Sequence, residues 1–148
     1  LKTDYSYTIS YIKDLIEKYK IKIIGVGYDP HNASAFIADL DFLGCSLTEI
    51  GQSARSLNDA TVDLQLAVEA RQIIYNENEA LMTWSFANAK TTRNSFGEIK
   101  IMKSEETERI DVVDAVIDAW KLAMQTEYDV VYNAEDDIED WLKILGGE

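Results

Sequence analysis

The ten residues IKIIGVGYDP at 21–30 constrain the fold of this chain more than any other stretch. Ile21, Ile23, Ile24 and Val26 form an apolar run that is rich in β-branched residues and short for a helix. Closed by Gly25, Gly27 and a turn, it reads as a buried strand. Pro30, the only proline in 148 residues, keeps the preceding Asp29 out of helical geometry. An aspartate therefore stands at the carboxyl end of an interior strand, where open parallel sheets place their ligands. Capping of the following turn is the plainer role for Asp29, and the residues alone do not separate the two.

Around this strand, Ile9, Ile12, Leu15 and Ile16 predict a helix over 6–20. A short helix is expected over about 33–43, started by Asn32 or Ser34, followed by a strand in CSLTEI. The stretch SLNDATVDLQLAVEARQIIY reads as a long amphipathic helix capped by Asn58 or Ser56, with Leu64, Val68 and Ile73 or Ile74 facing inward. ALMTW and GEIKIMK read as strands, joined by the turn-rich SFANAKTTRNSFG. A strong helix is expected over 107–125, and a tail helix over 135–145. Strands alternating with helices imply an α/β domain whose parallel sheet is covered on both faces. Two interior strands and a late pair make a thin sheet, so the opening strands are expected to lie upstream of this chain.

Length and composition suit one globular domain, with 47% apolar and 10% aromatic residues. The expected division is a domain over 1–128 and an acidic tail helix over 129–148, where Glu135, Asp136, Asp137, Glu139 and Asp140 read as a solvated run. No run approaches the roughly 18 apolar residues of a membrane span, and no signal-peptide pattern opens the chain. The lone Cys45 suits a reducing compartment and reads as a buried, inert thiol. A net charge of −13 argues against a broad phosphate-binding surface. A divalent cation would reverse that sign locally.

The stretch KSEETERIDVVDAVIDAWKLA at 103–123 puts that charge to a test. Asp111, Asp114 and Asp118 fall within about 60° of one another around a helix axis. Val112, Val113, Val116, Ile117, Ala119 and Trp120 fill much of the opposite arc. Periodicity alone favours a solvated stripe. Against it, three like charges at this spacing repel one another, and aspartate is a poor helix former. The helix dipole explains an anion at Asp111 but not at the other two.

Four stretches in register resemble the C-terminal nuclease domain of the large terminase subunit of tailed bacteriophages and prophages. They are YDPHNA, IGQSARSLNDATVDLQLAV, LMTWSFANAKTTRNSFGEIKIMKS and ERIDVVDAVIDA. The resemblance implies an RNase H-like α/β fold, a mixed sheet flanked by helices, with acids at its centre holding divalent metal. It carries the second-strand acid onto Asp29 and the acid opening the last helix onto Asp111, both catalytic and both metal-binding. Asp114, one turn further, joins them as a metal ligand, and Asp118 assists or only hydrogen-bonds. The family's remaining acid comes from a first strand that this sequence lacks, and no GxxxxGK[ST] motor motif occurs.

The implied activity is endonucleolytic cleavage of concatemeric viral double-stranded DNA during genome packaging, in the host bacterial cytoplasm. Two Mg²⁺ or Mn²⁺ ions are the implied cofactors, and the terminase small subunit and portal are implied partners of the full-length protein. Lys103 and Arg109 are candidates for the DNA backbone, or serve solubility. Gln52 and Asn88 either orient the site or satisfy buried backbone. His31 stands beside the proline turn with no assigned role, and one His with one Cys excludes a soft-ligand zinc site. The alternative is a non-catalytic RNase H-like module that binds other packaging proteins, which the acidic charge favours. A receiver-like phosphotransfer domain is a third reading, weakened by the lack of a strand-end lysine.

Overall fold

A computed structural model describes residues 4–31, 33–76 and 78–126 of the chain. The expected tail helix lies outside the described residues, as does the Asn32 cap. Helix α1, Ser6–Tyr19, ends on Lys20 in the left-handed region and leads into strand β1, Gly25–Tyr28. Ile9, Ile12, Leu15 and Ile16 are half-buried, as their spacing predicts. After the proline turn come helix α2, Ser34–Ala38, a 3-10 turn, Asp41–Leu43, and strand β2, Ser46–Glu49. Strands β1 and β2 pair in parallel, with Val26 opposite Leu47 and Tyr28 opposite Glu49. Cys45 is half-buried beside this pair rather than enclosed.

Helix α3, Ala54–Glu69, begins earlier than its periodicity suggests and ends sooner. Ser53, in an extended conformation, caps it by accepting from the Ser56 amide at 3.1 Å. The expected caps are engaged elsewhere. Asn58 Oδ1 accepts from the Ile99 amide at 2.9 Å, and the Ser56 hydroxyl meets Lys121. The buried side of α3 is Leu57, Ala60, Thr61, Leu64 and Ala67, while Val68 and the 96% exposed Ile74 point to solvent.

A larger difference follows. ALMTW is not a strand but opens helix α4, Ala80–Asn88. Its fully buried residues are polar, Ser85 at 1% and Asn88 at 7% exposed, with Phe86 packed partly buried against the core, whereas Trp84 is 45% exposed. Tertiary contact here overrides the β-propensity of Thr and Trp. The presumed turn-rich link therefore holds the end of α4 and strand β3, Ala89–Arg93, which pairs antiparallel with β4, Ile99–Lys103. Gly97, at φ +83°, turns the hairpin. Among the described residues the strands form two two-stranded sheets, one parallel and one antiparallel.

Helix α5, Asp111–Gln125, joins these parts. Ile110, Val113 and Ile117 enter a core made with Ile50, Leu57, Ala60 and Leu64. No helix among the described residues is long and apolar enough to cross a membrane.

Candidate metal centre at the α5–β1 seam

Helix α5 lies on β1 through two glycines. A Cβ on Gly25 would come within 3.0 Å of Leu122 Cδ2, and one on Gly27 within 2.9 Å of the Asp118 carbonyl oxygen. Leu122 and Asp118 are four residues apart, about 6 Å of helix rise. Gly25 and Gly27 are two apart, about 6.6 Å of strand. Helix and strand thus run in opposite directions with matching steps. The next step along the strand leads to Asp29, whose charge is felt at both Asp114 and Asp118. Asp29 and Asp114 stand 85 positions apart in the sequence, and the seam that draws them toward each other depends on two positions without side chains.

The charges behave accordingly. Burial first, and then Asp118, Asp111 and Asp29 in that order, push the Asp114 carboxyl above its ordinary range, while Lys100 on β4 pulls it down. Burial also raises Asp118, with Asp29 adding to it; the hydrogen bond from Gln52 and the charge of Lys121 oppose the rise. The acidic stripe is therefore graded rather than uniformly solvated. Asp111 is exposed, Asp114 half-buried and Asp118 only 6% exposed.

Each expected residue has a definite place. Asp29 is exposed just beyond β1, and its Oδ1 accepts from the His31 amide at 2.9 Å. It therefore does cap its turn, with one oxygen, and the other carboxylate oxygen is not used for that. Asp111 opens α5, whose dipole favours an anion there. Lys103 ends β4 half-buried, and Arg109 is exposed two residues before the helix. Asn88 serves backbone: its Nδ2 donates to the Arg109 carbonyl at 3.3 Å, and its own carbonyl accepts from the Ser104 amide at 2.8 Å.

Gln52 does more. Its Nε2 donates to the Ile50 carbonyl at 3.0 Å and to both Asp118 oxygens, at 3.0 and 3.2 Å. Sequence reasoning gave no fixed role to Gln52 or Asp118, and it passed over Lys100. The signal available for Asp118 was its place one turn beyond Asp114 on the same stripe.

The donor set suits a hard cation, being carboxylate oxygen throughout. Unrelieved repulsion at Asp114 is what such an ion would cancel. Asp29 and the α5 acids are neighbours rather than a closed cage: among the described residues no three His, Cys, Asp or Glu side chains gather tightly enough to complete an ion site.

A sequence profile described as the terminase large subunit, endonuclease domain, matches residues 2–127. No curated protein gives a significant sequence match. Two solved structures share the fold. The HK97 bacteriophage large terminase superposes with a TM-score of 0.68 at 24% identity, over 81% of this chain and 25% of that one. The large terminase nuclease from thermophilic phage G20c gives 0.61 at 18% identity, over 80% of this chain and 62% of that one. The chain thus spans a quarter of the first structure's length and under two thirds of the second's. The likeness bears out the RNase H-like α/β fold expected from the sequence.

Proposed function

The chain belongs to the terminase large subunit endonuclease domain family, and on that premise we propose that it is a divalent-metal-dependent nuclease cutting concatemeric viral double-stranded DNA during packaging. The observation that carries this reading is the seam itself, where Asp114 feels Asp29, Asp111 and Asp118 together. Asp29, Asp111 and Asp114 would hold Mg²⁺ or Mn²⁺, two ions in the complete site, with a further carboxylate supplied by the whole protein. When bound, the ions lower the pKa of an attacking water and offset charge on the leaving oxygen.

The chain's own residues set up that chemistry. Asp29 is held by its turn, and Asp111 and Asp114 by the first turn of α5, so the ligands arrive on two rigid elements. Lys100 offers a positive charge within range of Asp114, a place for a phosphate oxygen. Lys103 and Arg109 remain candidates for the DNA backbone farther out. In the whole protein the small subunit and portal are the proposed partners, and the host bacterial cytoplasm, in phage or prophage growth, the proposed setting.

Plasmid nicking by the full-length protein with Mn²⁺ tests the assignment. Asp29→Asn and Asp111→Asn are each expected to abolish it. Undiminished nicking by both variants would reject the ion site and favour the interaction-module reading.

A further inference from the structure

Helices usually settle their axial position against a neighbour by seating side-chain ridges in grooves. At the α5–β1 seam the Leu122 side chain seats on Gly25, but at Gly27 the helix backbone itself, at the Asp118 carbonyl, lies against a strand residue that presents no Cβ. Ties outside the glycine face therefore help to fix where the acids of α5 stand relative to Asp29. Among the ties from α5 to its surroundings are Val113 to Ser85, Lys121 to Ser56 and Trp120 to Asp63. Among the described residues, only the bond from Gln52 to Asp118 grips the side chain of one of the acids.

We infer that Gln52 is a positioning residue for the ion site, clamping the Asp118 carboxylate so that α5 keeps Asp114 and Asp111 in register with Asp29. The inference rests on the ion-site reading above. The clamp is anchored, since the same amide nitrogen also donates to the carbonyl of Ile50, which is among the most buried residues of the core. Gln52 lies three residues beyond β2, the partner strand of β1. Through it the end of one strand reads the position of the helix lying across the other. Asp118 in this role touches no ion. Its carboxylate is the handle by which the helix is held, and both of its oxygens face the amide.

Calorimetric titration of the full-length protein with Mn²⁺ tests the clamp apart from turnover. Gln52→Glu is the decisive variant, because it adds a negative charge near the site. Electrostatics alone would tighten cation binding, whereas loss of the donor and repulsion from Asp118 would loosen it. We expect affinity to fall roughly tenfold, the scale set by losing an outer hydrogen-bond partner of a metal ligand set. Gln52→Glu combined with Asp118→Asn keeps the wild-type charge and restores an amide–carboxylate bond with donor and acceptor exchanged. It is expected to regain most of the loss. Binding by Gln52→Glu equal to or tighter than wild type would overturn the clamp, as would a double variant no better than the single. Should Gln52→Glu fail to fold, the uncharged Gln52→Leu decides: unchanged Mn²⁺ affinity overturns the role, even if its melting temperature falls. Unaltered binding in Asp29→Asn would instead remove the ion site itself, which separates the two failures.

Discussion

Gly27 and Asp118 meet backbone to backbone: a Cβ added to the glycine would lie 2.9 Å from the Asp118 carbonyl oxygen. That oxygen belongs to a helix rail and cannot swing away as a flexible side chain would. The seam that carries the candidate site is therefore built on an approach that only glycine permits.

Gly27→Ala should push α5 off β1. Urea denaturation is expected to show a loss of about 1–3 kcal/mol, the range of overpacked sites, together with weaker Mn²⁺ binding. Gly44→Ala supplies the contrast. Gly44 sits at φ +62° with nothing within 4 Å of an added Cβ, so it should cost about 1 kcal/mol from backbone strain alone and leave ion affinity unchanged. Matching stabilities of Gly27→Ala and wild type would show that the helix does not bear on the strand.

The raised Asp114 carboxyl makes a signed prediction about pH. Its folded-state pKa lies above the ordinary value of 3.8, so the native state binds the proton more readily than the unfolded chain. Ionisation then removes stability as pH climbs from that value through the raised one; below it no penalty exists. Asp118 acts in the same direction. At neutral pH, Asp114→Asn should be more stable than wild type by about 0.5 kcal/mol, the scale of like-charge pairs one helix turn apart. The advantage should close below the ordinary carboxylate range. Melting curves at neutral and acid pH check it, and an advantage that persists in acid would count against charge as the cause.

A divalent ion should relieve the same repulsion. Mn²⁺ at a hundredfold excess over its dissociation constant is expected to stabilise the protein by about 2.7 kcal/mol. Chelation should reverse the gain, and Asp29→Asn or Asp111→Asn should not show it. Differential scanning calorimetry with and without EDTA measures the effect, and an equal gain in the variants would place the ion elsewhere.

Ser85 lends α5 a cap from another helix. Its buried hydroxyl accepts from the Val113 amide at 3.2 Å, in the turn that carries Asp111 and Asp114. Ser85→Ala should cost about 1 kcal/mol, the usual worth of an N-cap oxygen. Hydrogen exchange should quicken first at Val113. Unchanged protection there would mean the amide finds another acceptor.

Helix α5 was legible because its burial follows its chemistry. In α5 Val113 and Ile117 face inward at helical spacing, whereas β1 and β2 are at most half-buried and the first strand begins after the isoleucines that announced it, Ile21 and Ile24 being exposed. Helix α4 breaks that link. Ser85 and Asn88 are its most buried residues, and both are there to serve backbone groups of other elements, so its hydrophobic pattern points the wrong way. Asp29 and Asp111 stand out in the sequence as candidates, from a strand end and a helix start together with the family resemblance. Gln52 and Asp118 carry only open alternatives there, and Lys100 no role at all. Their meaning depends on which side of α5 meets β1, and that is decided by Gly25 and Gly27, whose lack of side chains gives no periodic signal.

Helix α5 is walled on two sides, by α3 through Val113 and Ile117 and by β1 through Asp118 and Leu122. The element bearing the acids is also the keystone of the fold. In a mutational survey, lesions at remote core positions such as Leu57 or Leu64 will consequently masquerade as chemical defects, and activity screens must be paired with a foldedness assay before any residue is assigned to the reaction.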